Sequence, residues 1–169
     1  METTSHHNFS LRQGIKSDFS SLEDLYSYAR NFMSSNGNPN QWGAVWPLPD
    51  VTKEDIETRC LYVVIDDKGF LAGAFVLKDH DDGYPGIEGK WLNDDPYLVI
   101  HRLASREKGV GDFIFSYLLS LNENLRADTG ELNAPMKSLL AKYGFSYCGL
   151  IELLPPEKGT RFAYMRAKI

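Results

Sequence analysis

Residues 97–113 read YLVIHRLASREKGVGDF, and this stretch decides the fold. Residues 97–104 are mostly apolar and rich in branched side chains, the composition of a buried strand. Residues 106–111, Arg-Glu-Lys-Gly-Val-Gly, form a turn carrying two cations and two glycines. Beyond Gly111, Ile114, Tyr117, Leu118 and Leu121 fall on one face of a helix. A strand that passes through a glycine turn into a helix leaves the first helical N–H groups without partners, and the helix dipole adds positive charge there. Such a place suits an anion, in particular a diphosphate. Gly109 and Gly111 permit a close backbone approach, and Arg106 and Lys108 add charge. The plainer alternative is a glycine turn before an ordinary helix. The turn is not a Walker loop, because it has no Gly-Lys-Ser/Thr. Nor is it a complete dinucleotide fingerprint, since the sixth position counted from Gly109 is Ile114.

Working towards the N-terminus, residues 60–65 (CLYVVI) and 70–77 (FLAGAFVL) are apolar runs on either side of Asp67-Lys68-Gly69, a hairpin of buried strands. Gly73 inside the second run marks a bulge or a close backbone approach. Between this hairpin and the central stretch, residues 80–96 form a polar loop, long enough to be functional or mobile. Residues 9–15 alternate weakly, as an edge strand does. Ser20 followed by Glu23 has capping-box spacing, and Leu22, Leu25, Tyr26, Ala29, Phe32 and Met33 follow on one helical face. Residues 34–40 stop that helix. A short helix is expected over 52–58. Between them, residues 41–49 (QWGAVWPLP) hold Trp42 and Trp46, which either cover the core or wall a substrate pocket.

Towards the C-terminus, residues 125–128 make a short strand. Asn133 suits a helix N-cap, with Pro135 tolerated in the first turn and Gly144 as the stop. Residues 145–153 and 161–169 read as strands around a loop with Pro155, Pro156 and Gly159. The expected class is α/β (α+β): a central mixed, mostly antiparallel sheet of about six to seven strands flanked by about four helices. One domain is expected over residues 1–169, with 1–8 as a disordered tail.

Composition narrows the function. A net charge of −5 and a pI near 5.3 argue against a broad nucleic-acid-binding face and are compatible with cationic substrates. Cys60 and Cys148 form neither a disulfide framework nor a metal-ligand spacing and read as small buried residues, so no metal is expected. No run is apolar enough to span a membrane and no signal-peptide pattern opens the chain, which makes a cytoplasmic location the expectation.

The Arg106-x-x-Gly109-x-Gly111 turn between strand and helix resembles the acyl-CoA-binding motif of the GNAT acetyltransferase superfamily. Residues 125–151, LRADTGELNAPMKSLLAKYGFSYCGLI, are similar to the end of that domain, where an Asn-led helix closes in Gly-Phe. The order of elements over 9–169 matches as well. The resemblance implies acetyl-CoA as cosubstrate. The main chain of Leu103 and Ala104 would pair with the pantetheine arm. The backbone of Lys108, Gly109, Val110, Gly111 and Asp112 would hold the pyrophosphate, with Arg106 nearby. Asn133 would reach the cofactor, act as a plain N-cap, or do both.

The family's tyrosine that protonates the leaving thiolate lies seven residues after that asparagine, where this chain has Leu140. Tyr143 is either its substitute or a packing residue. For the base, His101 is the titratable group best placed at the strand end, or else a satisfied core histidine. Glu88 and Asp50 are weaker candidates on flanking loops. Trp42, Trp46 and Glu88 are the expected acceptor-binding residues. These expectations describe an N-acetyltransferase acting by direct transfer on the primary amine of a small molecule or peptide, with a homodimer as one possible state. The alternative is an acyl-CoA-binding sensor or interaction module that has lost turnover.

Overall fold

A computed structural model describes residues 8–169. The expected tail over 1–8 therefore lies, except for Asn8, outside the described residues. Eight strands form one sheet in the order β1-β2-β3-β5-β6-β8-β7-β4. They are β1 (Ser10–Gln13), β2 (Leu61–Ile65), β3 (Leu71–Lys78), β4 (Glu88–Gly89), β5 (Tyr97–Ser105), β6 (Asn124–Thr129), β7 (Ser146–Glu152) and β8 (Thr160–Arg166). The helices are α1 (Phe19–Ser35), α2 (Pro49–Glu57), α3 (Val110–Ser120) and α4 (Ala134–Lys142). All neighbouring strands run antiparallel except β5 and β6. The mixed, mostly antiparallel sheet expected from the sequence is thus present. The strand beyond the expected number is β4, whose two residues pair with Leu150 and Gly149 of β7.

Strand alternation divides the core into two faces. Val64, Phe75, Ile100 and Ala127 pack under α3 and α4, which contribute Val110, Ile114, Phe115, Leu118 and Leu140. Leu61, Val63, Ala74 and Val76 meet Leu22, Leu25, Tyr26 and Ala29 of α1. Fully burying a leucine of this kind contributes about 1.5–3 kcal/mol, which holds α1 against the sheet.

Local details differ from expectation. α1 starts at Phe19 behind a 3-10 turn, with Asp18 as its N-cap, and not at a Ser20–Glu23 capping box. Asp18 accepts the Ile15 N–H and two bonds from Arg12, at 2.7 and 2.9 Å. The Arg12 hydrogen bonds hold its carboxyl below the usual range against the opposing effect of burial. α2 begins at Pro49, three residues early, because a proline is accommodated in a first turn. Residues 80–96 are not a simple polar loop. Tyr84 and Trp91 are buried on Val99, Ile151 and Met165, and Arg126 lies over the Trp91 and Tyr97 rings at 4.1 and 3.8 Å. Cys60 precedes β2 and is only half-buried, whereas Cys148 is buried. Among the described residues no helix is long and apolar enough to cross a membrane.

Candidate active site

β5 and β6 pair over four positions, from Tyr97↔Asn124 to Ile100↔Ala127, and then part. On its other side β5 remains paired to β3 through Val76↔His101, Ala74↔Ala104 and Gly73↔Ser105. That ladder shifts register between Ala74 and Val76, where Arg102 adopts φ 48, in the left-handed region. The Arg102 guanidinium is drawn into α2, where it bonds the buried Asp55 carboxylate at 2.7 and 2.8 Å. Burial works against the Arg102 charge, but the bonds and charge of Asp55 outweigh it and raise its pKa. The outcome is a cleft of about 1110 Å³ into which residues 101–105 present a strand edge that β6 does not cover.

One end of the cleft reaches the start of the glycine turn, which it touches as far as Lys108. Gly109 is the N-cap of α3 at φ 90. Val110 N–H reaches Glu107 O at a long 3.4 Å and Phe113 N–H reaches Gly109 O at 3.0 Å. The N–H groups of Lys108, Gly109, Gly111 and Asp112 find no acceptor among the described residues. Gly111 has a different task from Gly109, since a Cβ there would stand 2.9 Å from Leu139 of α4. Gly73 is a close approach, as the sequence suggested: a Cβ would lie 2.4 Å from Val110 Cγ1. Leu103, Ala104, Arg106, Lys108 and Asn133 line the cleft. The Asn133 Oδ1 accepts the Met136 N–H at 3.3 Å and its Nδ2 donates to Gln41 Oε1 at 3.2 Å. It is therefore an N-cap facing the cleft.

The other end is built from side chains. His101 Nε2 lies 2.9 Å from Asp81 Oδ2, and Asp81 Oδ1 accepts the Gly83 N–H at 2.8 Å. Burial raises the Asp81 carboxyl, but the bond and charge of His101 outweigh it and leave a net downward shift. Tyr84 donates its hydroxyl hydrogen to Asp128 Oδ2 at 2.7 Å. Burial pushes Tyr84 well above the usual range and raises Asp128 too. Glu157, between β7 and β8, is raised by burial and then by the charge of Asp128. Asp81, Asp128 and Glu157 line the same cleft as His101.

Trp42 is buried edge-on against Tyr26, 5.7 Å between ring centres, and it also reaches the cleft. Trp46 is half-buried on the wall. Gln41 ties their loop to the site. Its Oε1 accepts from Asn38, Gly130 and Asn133, and its carbonyl accepts from Arg161.

Of the side chains proposed for catalysis or acceptor binding, three are not brought in. Glu88 is exposed on the edge strand β4, and Asp50 is exposed in the first turn of α2; neither lines the cleft. Tyr143 does not line it either. It stacks on Phe115 at 5.2 Å and donates to Asp112 Oδ1 at 2.6 Å. Lys142 bonds the same oxygen, and these two bonds hold the Asp112 carboxyl below its usual range. Leu140 is fully buried, so its position presents nothing to the cleft. Sequence reasoning missed Asp81, Tyr84, Asp128, Glu157 and Gln41. Only Asp128, an acid at the end of an apolar strand, left a signal.

No protein-family model matches the chain, and no curated protein does. Solved structures do match. A GNAT-family acetyltransferase from Streptococcus agalactiae is 30% identical, with 95% of this chain and 96% of that one covered and a TM-score of 0.84. A protein from Staphylococcus aureus assigned as an acetyltransferase is 28% identical over 93% and 97% of the two chains, with a TM-score of 0.68. A GNAT-superfamily phosphinothricin acetyltransferase from Sinorhizobium meliloti, solved with acetyl-CoA, shares the fold at 15% identity, 95% and 88% coverage and a TM-score of 0.65.

Proposed function

The chain belongs to the GNAT acetyltransferase family, and from that premise we propose that it moves the acetyl group of acetyl-CoA directly to a primary amine of a small-molecule or peptide acceptor. The observation that carries this reading is the parting of β5 from β6 after Ile100, between a turn of free N–H groups and a pocket of acids and His101.

The residues present suit acetyl-CoA. The N–H groups of Lys108, Gly109, Gly111 and Asp112, which have no acceptor among the described residues, are donors for its pyrophosphate, with the α3 dipole behind them and Arg106 beside them. Val110, whose own N–H is engaged, fixes the turn by packing on Gly73. The uncovered edge at Leu103 and Ala104 can pair with the amide-bearing pantetheine arm as a strand would. That pairing would bring the thioester to the level of His101 and the main chain around the Arg102 bulge. An N–H held there would stabilise the oxyanion, and alignment of the two reactants would supply much of the rate. The acceptor would enter between Trp46 and the 80–96 segment. Burial raises the carboxyls of Asp128 and Glu157, which line this end of the cleft, and a cationic amine beside them would offset the cost of ionising them. His101 would take the amine's proton.

A second reading, an acyl-CoA-binding module without turnover, draws on Leu140 and on the engagement of Tyr143 by Asp112 away from the cleft. Calorimetric titration with acetyl-CoA, on wild type and Gly109→Trp, tests the cofactor assignment. Binding that the variant loses supports it, and no binding by folded wild type sinks it. An amine panel then separates the two readings: turnover dismisses the module, and binding with no turnover across the panel favours it.

A further inference from the structure

We infer that Asp81 is a positioning residue for acetyl transfer: it holds His101 with the hydrogen on Nε2, so that the bare Nδ1 receives the acceptor's proton. The inference rests on the acyl-transfer reading above and adds the residue that sets the base's tautomer.

The geometry comes from two separate segments. His101 is the first β5 residue beyond the paired stretch with β6, and it lines the cleft. Asp81 lies between β3 and β4 and is held from two further sides. Gly83 N–H bonds its Oδ1 at 2.8 Å, and its own N–H points at the Tyr97 hydroxyl at 3.5 Å. Its other oxygen, Oδ2, stands 2.9 Å from His101 Nε2. An ionised carboxylate only accepts hydrogen bonds, so Nε2 must carry the hydrogen and neutral imidazole keeps its lone pair on Nδ1. Nδ1 has no partner among the described residues. The charged and titratable groups around this pair are Lys78 of β3 and Tyr84 of the 80–96 segment, Asp128 of β6, Glu157 before β8 and Arg161 of β8. One oxygen of Asp128 is occupied by the Tyr84 hydroxyl, and burial raises the carboxyls of both Asp128 and Glu157, so these two groups are the competitors that the test below has to separate from His101.

The proton balance is simple. The acceptor ammonium gives one proton to Nδ1. The freed nitrogen pair attacks the thioester carbon, a C–N bond forms and the C–S bond breaks. The second proton on that nitrogen goes to the CoA thiolate, and the imidazolium returns the first to water.

The test joins a spectroscopic and a kinetic measurement. Nitrogen-15 NMR of the imidazoles, with His101→Gln for assignment, should show neutral wild-type His101 with hydrogen on Nε2. Asp81→Asn keeps the Gly83 bond but presents an amide donor to the ring. It should move the hydrogen to Nδ1, and Asp81→Glu should restore the wild-type tautomer. For turnover the probes are tyramine and spermidine with acetyl-CoA, read as thiol release. Asp81→Asn should lower kcat/KM about tenfold and shift its acid limb to lower pH, and His101→Gln should lower it about 10²-fold. Both should leave acetyl-CoA affinity unchanged.

Wild-type His101 with hydrogen on Nδ1, or a tautomer and profile that Asp81→Asn does not move, overturns the inference. So does an acid limb that survives Asp81→Asn and disappears in Asp128→Asn. If neither amine turns over, the tautomer decides. Failure of wild type to bind acetyl-CoA sinks the acyl-transfer reading and this one together, whereas normal binding with an unmoved tautomer sinks this one alone.

Discussion

The two ends of the cleft are made from different materials. At the β5–α3 turn the available groups are main-chain N–H donors, and side chains shape the backbone more than they face the ligand: Gly109 sets a left-handed angle, and Gly111 and Gly73 clear space for Leu139 and Val110. At the opposite end the side chains of Asp81, Tyr84, His101, Asp128 and Glu157 come together from four separate segments. A backbone site depends on where glycine is allowed. A side-chain site depends on which groups remain ionised when buried together.

The comparison can be broken first where the two ends join. Asp55→Ala leaves the Arg102 guanidinium buried without its partner, at a cost of about 3–5 kcal/mol. Urea unfolding should show that loss, and both ends should fail together because Arg102 marks where β5 leaves β6. Next in size, Gly109→Trp forces a side chain onto φ 90. Backbone strain of about 1–3 kcal/mol should weaken acetyl-CoA binding roughly 10–100-fold by calorimetry. The melting temperature would report whether the fold survives.

At the side-chain end, Asp128→Asn keeps an acceptor for the Tyr84 hydroxyl and removes the ionisation. The Asp128 carboxyl is raised in the folded state by burial. Its contribution is therefore fully present below its unfolded pKa and is lost as pH rises through the folded value. The variant should melt above wild type at pH 8, by roughly 2–4 °C for about 1 kcal/mol, and the difference should shrink towards pH 4. The smallest effect is expected from Arg106→Ala. Arg106 lies over the Tyr28 ring at 5.6 Å, and as an exposed charge beside a backbone site it should change acetyl-CoA affinity by no more than about fivefold, less at high salt. A larger loss would mean that the turn is a side-chain site after all.

The same contrast explains what could be read in advance. The strands of the hairpin, the central strand and its turn announce themselves through local pattern, because glycines and apolar runs act on their own neighbours. The start of α1 did not. Ser20 and Glu23 have the right spacing, but Arg12 and the Ile15 N–H bind Asp18 and make it the cap, and Glu23 keeps a buried oxygen without a partner. Tyr143 misled for a similar reason: its distance along α4 says nothing about Asp112, thirty-one positions away, which holds its hydroxyl. Asp81 and Glu157 stand in polar loops where acids are commonplace. Only the packing of Tyr84 and Trp91, invisible to periodicity, turns the 80–96 segment into a wall of the site.

The uncovered stretch of β5 is also a sheet edge placed inside the molecule. Outer edges invite pairing with other copies, but here the opening is a wedge between β5 and β6, while β3 pairs with the other side of β5. Its β-partner is one slender enough to slide in from the turn. A ligand that completes a sheet in this way belongs to the folded state alone, so its free concentration is written into the melting temperature. Thermal denaturation across a series of acyl-CoA chain lengths then becomes a ruler for how far the wedge extends.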